Sequence, residues 1–210
     1  MTESGQTSGD LGLPSPQNPA PGWRQRRLLF VIVTLIVSIL VDQALKKVAE
    51  SMLFHRPPIS LLGDMIRLEY TENPGAFLSL GAGLSPTARF VFLTVLVGAV
   101  LVGSLVYLLT TPSLGRGALI GLSLLTGGGI GNLIDRVINR GHVIDYISMG
   151  IGPLRTGIFN FADLCITTGT CVLVFSAMRP KPHATVDPND SSLSNEAPSS
   201  IDEPTRPANS

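Results

Sequence analysis

The sequence predicts an all-α membrane protein of four transmembrane helices with a small extracytoplasmic β-sheet. Three observations lead there. Four apolar stretches are each near the length that crosses a bilayer, about twenty residues; one segment between the first two alternates with a period of two; and polar residues gather at the ends of the later apolar stretches rather than in their middles. The mean hydropathy of +0.35 and the zero formal charge conceal polar ends around an apolar centre. The expected organisation is a disordered tail over 1–23, a four-helix transmembrane domain over 24–178 with an outer β segment at about 57–83, and a second disordered tail over 179–210.

Residues 1–22 are rich in Gly, Ser, Pro, Thr and Gln without an apolar period, and cannot bury enough surface to offset chain entropy. Trp23 then stands where an aromatic would sit among headgroups, and Arg24, Arg26 and Arg27 form a basic flank. The first span is Leu28 to Val41, apolar but for Thr34 and Ser38, with the helix continuing to Ala49. A basic start before an apolar centre also describes a signal peptide. No small-x-small cleavage site follows, however, and further apolar segments come later. Asp42 and Lys46 are four apart, the spacing of a helical ion pair, and fit either a local interfacial pair or a place near a site.

From Glu50 to Arg89 the character changes. Ile66, Leu68 and Tyr70 alternate with Arg67, Glu69 and Thr71, so Met65 to Glu72 reads as a half-buried strand. Pro57-Pro58 and Asn73-Pro74-Gly75 bound it. The apolar run Ala76 to Leu80 is expected to pair with it or to lie on the membrane, and the sheet to turn its apolar side to lipid. Phe90 to Leu109 is uncharged over twenty residues and makes the second span; Thr110 to Gly117 is a turn; Ala118 to Ile134 and Ile158 to Met178 are the third and fourth spans. Gly117-x-x-x-Gly121 and Gly127-x-x-x-Gly131 allow close approach of neighbouring helices. The glycine run 127–131 is not a nucleotide loop, since no strand precedes it and no Lys-Ser/Thr follows. The tail after Arg179 is rich in Pro, Ser, Asn and acids, and no internal repeat is visible.

Balanced charge excludes nucleic acid as a partner, because phosphate recognition needs clustered cations. Cys165 and Cys171, six apart on one helix, point in different directions and read as packing residues, neither a disulfide nor a metal site. Four spans put both termini on one side. The arginines at 24–27 make that side cytoplasmic, although Lys46, Lys47, Arg56, Arg67, Arg89, Arg136, Arg140 and Arg155 would then lie opposite, held there by the folded outer segment.

The polar residues concentrate between Gly129 and Asp163. Asn132 and Arg136 share a helix face with Asp135 beside them, placed to hold a backbone or carboxylate at the membrane surface. Asp145 lies in His142-Val143-Ile144-Asp145-Tyr146, a strand or loop returning over the helix end. Asp163 stands three residues after Asn160, a spacing that also describes an N-cap and its capping-box acid, and Asp145 alone could equally be a loop acid paired with Arg136 or Arg140. Brought together in a poorly hydrated site, two such acids cannot both ionise easily; one keeps a proton while the other acts as base. That is aspartic peptidase chemistry, which needs no metal, cofactor or covalent intermediate. None of His55, His142 and His183 has a partnered Ser or Cys at recognisable spacing.

Gly131-Asn132-Leu133-Ile134-Asp135-Arg136, Val143-Ile144-Asp145-Tyr146-Ile147 and Phe159-Asn160-Phe161-Ala162-Asp163 resemble successive motifs of the lipoprotein signal peptidase, or signal peptidase II, family. Val41-Asp42-Gln43 with Lys46 and Asn73-Pro74-Gly75-Ala76 resemble its two earlier motifs, and the resemblance covers roughly Leu28 to Ala177. It implies a bacterial inner-membrane aspartic endopeptidase that removes the signal peptide from diacylglyceryl-modified prolipoproteins, cutting before the lipidated cysteine. It also implies a catalytic pair at Asp145 and Asp163, with support from Asp42, Lys46, Asn73, Gly75, Asn132, Asp135, Arg136 and Asn160. The chain departs from the family where Phe77 stands one place early and Leu78 follows it, and where Tyr146 replaces the usual Phe. The expected partners are diacylated prolipoproteins and membrane lipid, the expected state is a monomer, and the site is expected near the outer face. The same acids could instead form the proton relay of a small transporter or assembly factor, which predicts acids near the bilayer midplane; a structural membrane protein whose acids only cap helices would leave the order of the five motifs unexplained.

Overall fold

The computed structural model describes residues 22–75 and 83–178. The tails expected to be disordered, and the apolar run Ala76 to Leu80 with Phe77 and Leu78, lie outside those residues apart from Gly22 and Trp23. Among the described residues four helices are long and apolar enough to cross a membrane, and their large apolar side chains, among them Leu29, Val37, Phe92, Val102 and Phe175, face outward. An arrangement that would be unstable in water suits a hydrocarbon solvent, where helices satisfy their own backbone groups.

The first helix, α1 (Trp23–Leu53), is longer at both ends than the sequence predicts. Asp42 therefore sits about three turns before its end. The helix tolerates Lys46 and Asp42 because both are buried against other elements and paired there. It stops where Phe54 turns extended and His55 takes a positive φ, just before Pro57-Pro58. The second span is a continuous 25-residue helix, Pro86–Thr110. It comprises α2 (Pro86–Phe90), a π-helical segment Val91–Leu96 and α3 (Val97–Thr110). Ser85 caps it, its Oγ accepting the Ala88 N–H at 3.3 Å, and Pro86 follows at the first position, where no N–H is needed. The third span, α4 (Arg116–Ile138), reaches four residues beyond the predicted end, which brings Asp135 and Arg136 onto its last turn. The fourth, α5 (Phe161–Met178), begins three residues later than predicted, with Ile158 to Asn160 left as the entry to the helix.

Glycine sets how closely α4 meets its neighbours. A Cβ on Gly121 would lie 2.7 Å from the Gly169 carbonyl oxygen of α5, one on Gly127 would lie 2.9 Å from Ser38 Cβ of α1, and one on Gly131 would lie 2.7 Å from Asp42 Oδ2. These contacts hold α1, α4 and α5 together by backbone proximity, the packing that lipid-embedded helices rely on.

Outside the helices stands an antiparallel sheet in the order β1 (Ile59–Leu61), β2 (Ile66–Asn73), β3 (Val143–Ile151) and β4 (Leu154–Arg155). The outer β segment expected over 57–83 thus supplies half the sheet, and the other half comes from 143–155. The β1–β2 turn passes through three positive-φ residues, Leu62, Gly63 and Asp64. Asp64 fastens it, accepting from Ser60 Oγ at 2.8 Å and from Arg67 Nε at 2.7 Å, while its carbonyl takes Arg155 Nη1 at 2.7 Å. Those partners, Arg67 first, hold the Asp64 carboxyl down at about 2. A small core under the sheet joins Tyr146 to Ala49 and Leu53 of α1.

Candidate active site

Three local devices bring the polar residues together. Strands β2 and β3 pair with Thr71 opposite Asp145, so Asn73, two residues along, falls on the same face as Asp145. The irregularity between Leu68 and Thr71 sets that register. Phe159 then clips onto β3, its N–H donating to the Ile147 carbonyl at 2.8 Å and its carbonyl accepting the Tyr146 and Ile147 N–H groups. That clip delivers Asn160 beside Asp145 immediately before α5 begins. Finally, Arg140 and Gly141 take left-handed φ values of 52° and 95° at the end of α4, and the Gly141 N–H returns to the Arg136 carbonyl at 2.7 Å, turning the chain back into β3.

Asp145 is 2% exposed and Asp163 is 7% exposed. Asp145 Oδ2 accepts from Asn73 Nδ2 at 2.8 Å and Asp145 Oδ1 from Asn160 Nδ2 at 2.7 Å. Asp163 Oδ1 accepts from Asn132 Nδ2 at 2.9 Å, and its Oδ2 from the Asn160 N–H at 3.4 Å. The Asn160 side chain spans the two acids: Nδ2 serves Asp145 while Oδ1 accepts the Asp163 N–H at 3.0 Å. The capping box read from Asn160 and Asp163 is therefore present, and its amide still has a hydrogen to give to Asp145. The alternative pairing of Asp145 with Arg136 or Arg140 does not form among the described residues. Burial is the main cause that pushes the Asp145 carboxyl up to about 7; the Asp163 charge adds to it, while the Asn73 and Asn160 bonds and Lys46 oppose.

Beneath the pair lies a second buried cluster. Lys46 Nζ is 2.8 Å from Asp42 Oδ2, 2.8 Å from Asp135 Oδ2 and 3.0 Å from Asn132 Oδ1, which uses all three ammonium hydrogens. Asp42 and Lys46 form the i, i+4 pair, and they form it buried, against the residues that hold Asp145 and Asp163. Asp42 Oδ1 accepts the Ala162 N–H at 2.9 Å, an otherwise orphaned amide of the first turn of α5. Asp135 Oδ2 accepts the Ile144 N–H at 3.0 Å and so fixes the residue before Asp145. Arg136 Nη2 donates to the Gly75 carbonyl at 2.8 Å and Nη1 to the Asn132 carbonyl at 3.3 Å, while the Gly75 N–H donates to Asn73 Oδ1 at 2.8 Å.

All ten residues singled out in the sequence thus belong to one connected network. One member was not singled out. Gln43 Nε2 lies 2.9 Å from Asp135 Oδ1, 3.2 Å from the Gly131 carbonyl and 3.2 Å from Asp42 Oδ2. Its signals in the sequence are an amide next to Asp42 in an apolar helix and its place in Val41-Asp42-Gln43, the first of the five motifs. Asp135 is on the last turn of α4, Asp163 on the first turn of α5, Asp145 on β3 and Asp42 on α1 beneath them, so the acids gather towards one end of the spans, where a relay across the midplane would need them spread deeper.

From this end a groove of about 380 Å³ runs between the second, third and fourth spans. Asp163, Asn132 and Arg136 form its polar end, and Leu93, Val97 and Ile166 continue it along the helices. Asp163 meets this groove directly and Asn160 ties it to Asp145, so two buried carboxyls held by one amide can divide acid and base roles beside an apolar ligand.

The fold and sequence have counterparts. Two bacterial membrane enzyme structures solved by the in meso method, at 2.3 Å and 1.9 Å resolution, share the fold. Their TM-scores are 0.62 and 0.59 at 22% and 21% identity, covering 70% and 72% of this chain and 87% and 94% of theirs. A lipoprotein signal peptidase of Rhodococcus jostii is 34% identical over 161 residues, 74% of this chain and 75% of its own. Those of Mycobacterium tuberculosis and Sphingopyxis alaskensis are 33% and 34% identical, covering 78% and 74% of this chain and 76% and 88% of their own. The family description Signal peptidase (SPase) II matches residues 33–179. With that match over most of the chain, and with four spans and a small outer sheet, the chain belongs to the signal peptidase II family of membrane aspartic peptidases.

Proposed function

We propose that this protein is the endopeptidase that removes the signal peptide from diacylglyceryl-modified prolipoproteins, cutting before the lipidated cysteine, with Asp145 and Asp163 as the catalytic pair. The observation that carries the reading is the pair itself: two buried carboxyls spanned by Asn160, of which Asp163 lines the polar end of a largely apolar groove. One acid is ionised and the other protonated. The ionised carboxylate takes a proton from water as the water oxygen bonds to the scissile carbonyl carbon, and the protonated partner gives its proton to the carbonyl oxygen. The tetrahedral diol then returns one hydroxyl proton to a carboxylate, the C–N bond breaks, and the leaving nitrogen takes a proton from the acid. Each turnover consumes one water and leaves the pair with the one proton it began with.

The remaining residues position these two. Asn73, Asn132 and Asn160 hold the carboxyls by their amides; Asp42, Lys46 and Asp135 fix the start of α5 and the approach to β3; Arg136 anchors the turn at Gly75. An apolar groove opening among lipid-facing helices suits a substrate that arrives by lateral diffusion with its acyl chains still in the bilayer. In the orientation we favour both termini are cytoplasmic and the site is near the outer face of the bacterial cytoplasmic membrane. That orientation rests on the arginines at 24–27 and the even number of spans.

The full chain in detergent, incubated with a diacylated prolipoprotein and with the same precursor lacking the lipid, tests the substrate. Product masses should show one cut, before the modified cysteine, in the lipidated precursor alone. Equal cleavage of the unmodified precursor would overturn the lipid requirement, and no cleavage of either would overturn the activity.

A further inference from the structure

Behind the turn that carries Asn73 is a second cavity, of about 230 Å³, which the peptidase reading does not use. Among the described residues its wall includes Pro74, and its polar lining is Arg89, Arg140, His142 and Thr94. Among the described residues neither guanidinium has a carboxylate or carbonyl partner, although each has five N–H donors. The seven residues between Gly75 and Gly83, which border this region in sequence, contain no Asp or Glu. The Thr94 hydroxyl oxygen is buried and has no hydrogen-bond partner among the described residues.

The cavity is built by the backbone. Arg89 and Thr94 are five residues apart, which on an α-helix would place them about 140° from one another. Arg89 is the residue before the last of α2, and the wider turn of the π-helical segment Val91–Leu96 that follows carries Thr94 back toward the same face, so that both line the cavity. On the opposite wall, the positive φ of Arg140 turns the end of α4 so that Arg140 and His142 meet the same space. Arg89 also stands in the first turn of the second span, where its charge opposes the helix dipole and an anion would complement it.

Immediately along both helices are exposed apolar side chains: Phe90, Val91 and Phe92 on one, Val137 and Ile138 on the other. We infer that the cavity between Arg89 and Arg140 is a binding site for the phosphodiester headgroup of a membrane phospholipid, whose acyl chains lie along that apolar belt. Free phosphate shares the anionic chemistry but has no use for the belt. Because Pro74 forms part of the wall, a bound headgroup braces the turn from which Asn73 reaches Asp145 and Gly75 reaches Arg136.

The test reads binding rather than cleavage, so its outcome is separate from that of the peptidase assignment. Full-length protein, delipidated in detergent, would be titrated with dioleoyl phosphatidylglycerol, with dioleoylglycerol and with inorganic phosphate, following lipid retention by native mass spectrometry and protection in thermal unfolding. The wild type should retain one phosphatidylglycerol and be protected by it, dioleoylglycerol should do neither, and the Arg89→Gln/Arg140→Gln variant should bind about tenfold more weakly or worse. Equal retention by both proteins would overturn the site. Protection by inorganic phosphate as strong as that by the lipid would overturn the lipid occupant. Should the double variant fail to insert, Arg140→Gln alone, at an exposed side chain, should still weaken retention, and an unchanged affinity there would count against the proposal.

Discussion

Removing the Asn73 carboxamide takes a hydrogen bond away from the charged form of Asp145, and the direction of the consequence can be worked out. Asp145 is pushed up to about 7, mainly by burial, and the Asn73 bond is the largest influence opposing that rise. Catalysis that needs one proton on the pair should fall as pH rises past about 7. Asn73→Ala should move that fall to higher pH, which a kcat/KM profile would detect; a fall moved to lower pH would contradict the assignment. Linkage carries the same sign. The folded chain holds this proton more tightly than the unfolded one, whose carboxyl titrates near 3.8, so the contribution to stability is complete below about 4 and lost as pH rises through about 7. Arg136 gives a second residue-level test. Its two bonds to the Gly75 and Asn132 carbonyls need a fork that an ammonium lacks. Arg136→Lys should lower kcat/KM by at least about tenfold, whereas Arg140→Lys, which keeps a cation at an exposed position, should lower it little; equal small losses would reduce Arg136 to an interfacial anchor. Most of this network was readable as residue types at motif spacing. Gln43 stood in a motif but was given no role, because what identifies the role is contact with Asp135 and Gly131, which lie on another helix.

At the scale of elements, the apolar runs announced four spans, while their ends escaped the sequence for a physical reason. Lys46, Lys47 and Glu50 look like the exit of a helix from lipid. Yet Lys46 is neutralised by Asp42 and Asp135, Lys47 pairs with Glu50 at 2.8 Å, and α1 continues to Leu53. Strand β3 reads locally as a strand or a loop because its partner β2 is some seventy residues earlier, and a pairing at that distance leaves no local period. The glycines of α4 were readable as small residues one turn apart, although which helix each one meets was not. They supply an element-level test. Gly121→Ala places a Cβ against the Gly169 carbonyl and Leu173 and should cost about 1–3 kcal/mol through overpacking. Gly103→Ala, with nothing within 4 Å, should be neutral or slightly stabilising through helix propensity. Unfolding of each variant in mixed micelles measures both; equal effects would show that the α4–α5 approach is not tight.

Over the whole molecule, residues from α1, β2, α4, β3 and α5 meet at one end of the spans, so the orientation of the chain decides which face of the membrane receives the products. With Cys171 replaced by serine and the buried Cys165 retained, a cysteine introduced between Pro57 and Gly63 should be labelled by an impermeant thiol reagent added outside intact cells. Labelling only after lysis would reverse the orientation and place the site at the cytoplasmic face.

The catalytic pair is the central claim, and a mutant cycle on it is the most direct test. Asn is nearly isosteric with Asp, its one carbonyl oxygen can still accept from either the Asn160 N–H or Asn132 Nδ2, and its backbone N–H still donates to Asn160 Oδ1, so Asp163→Asn should keep the Asn160 cap and lose one side-chain acceptor with a charge contribution of roughly 0.3–1 kcal/mol. It cannot hold or release the catalytic proton. Asp145→Asn and Asp163→Asn should each give folded, membrane-inserted protein that still binds a diacylated prolipoprotein yet cuts it slowly or not at all. Because the two acids act as one unit, single-turnover rates should show the double variant hardly slower than either single. Substantial cleavage by either single variant, or losses that add in the double, would contradict the pair.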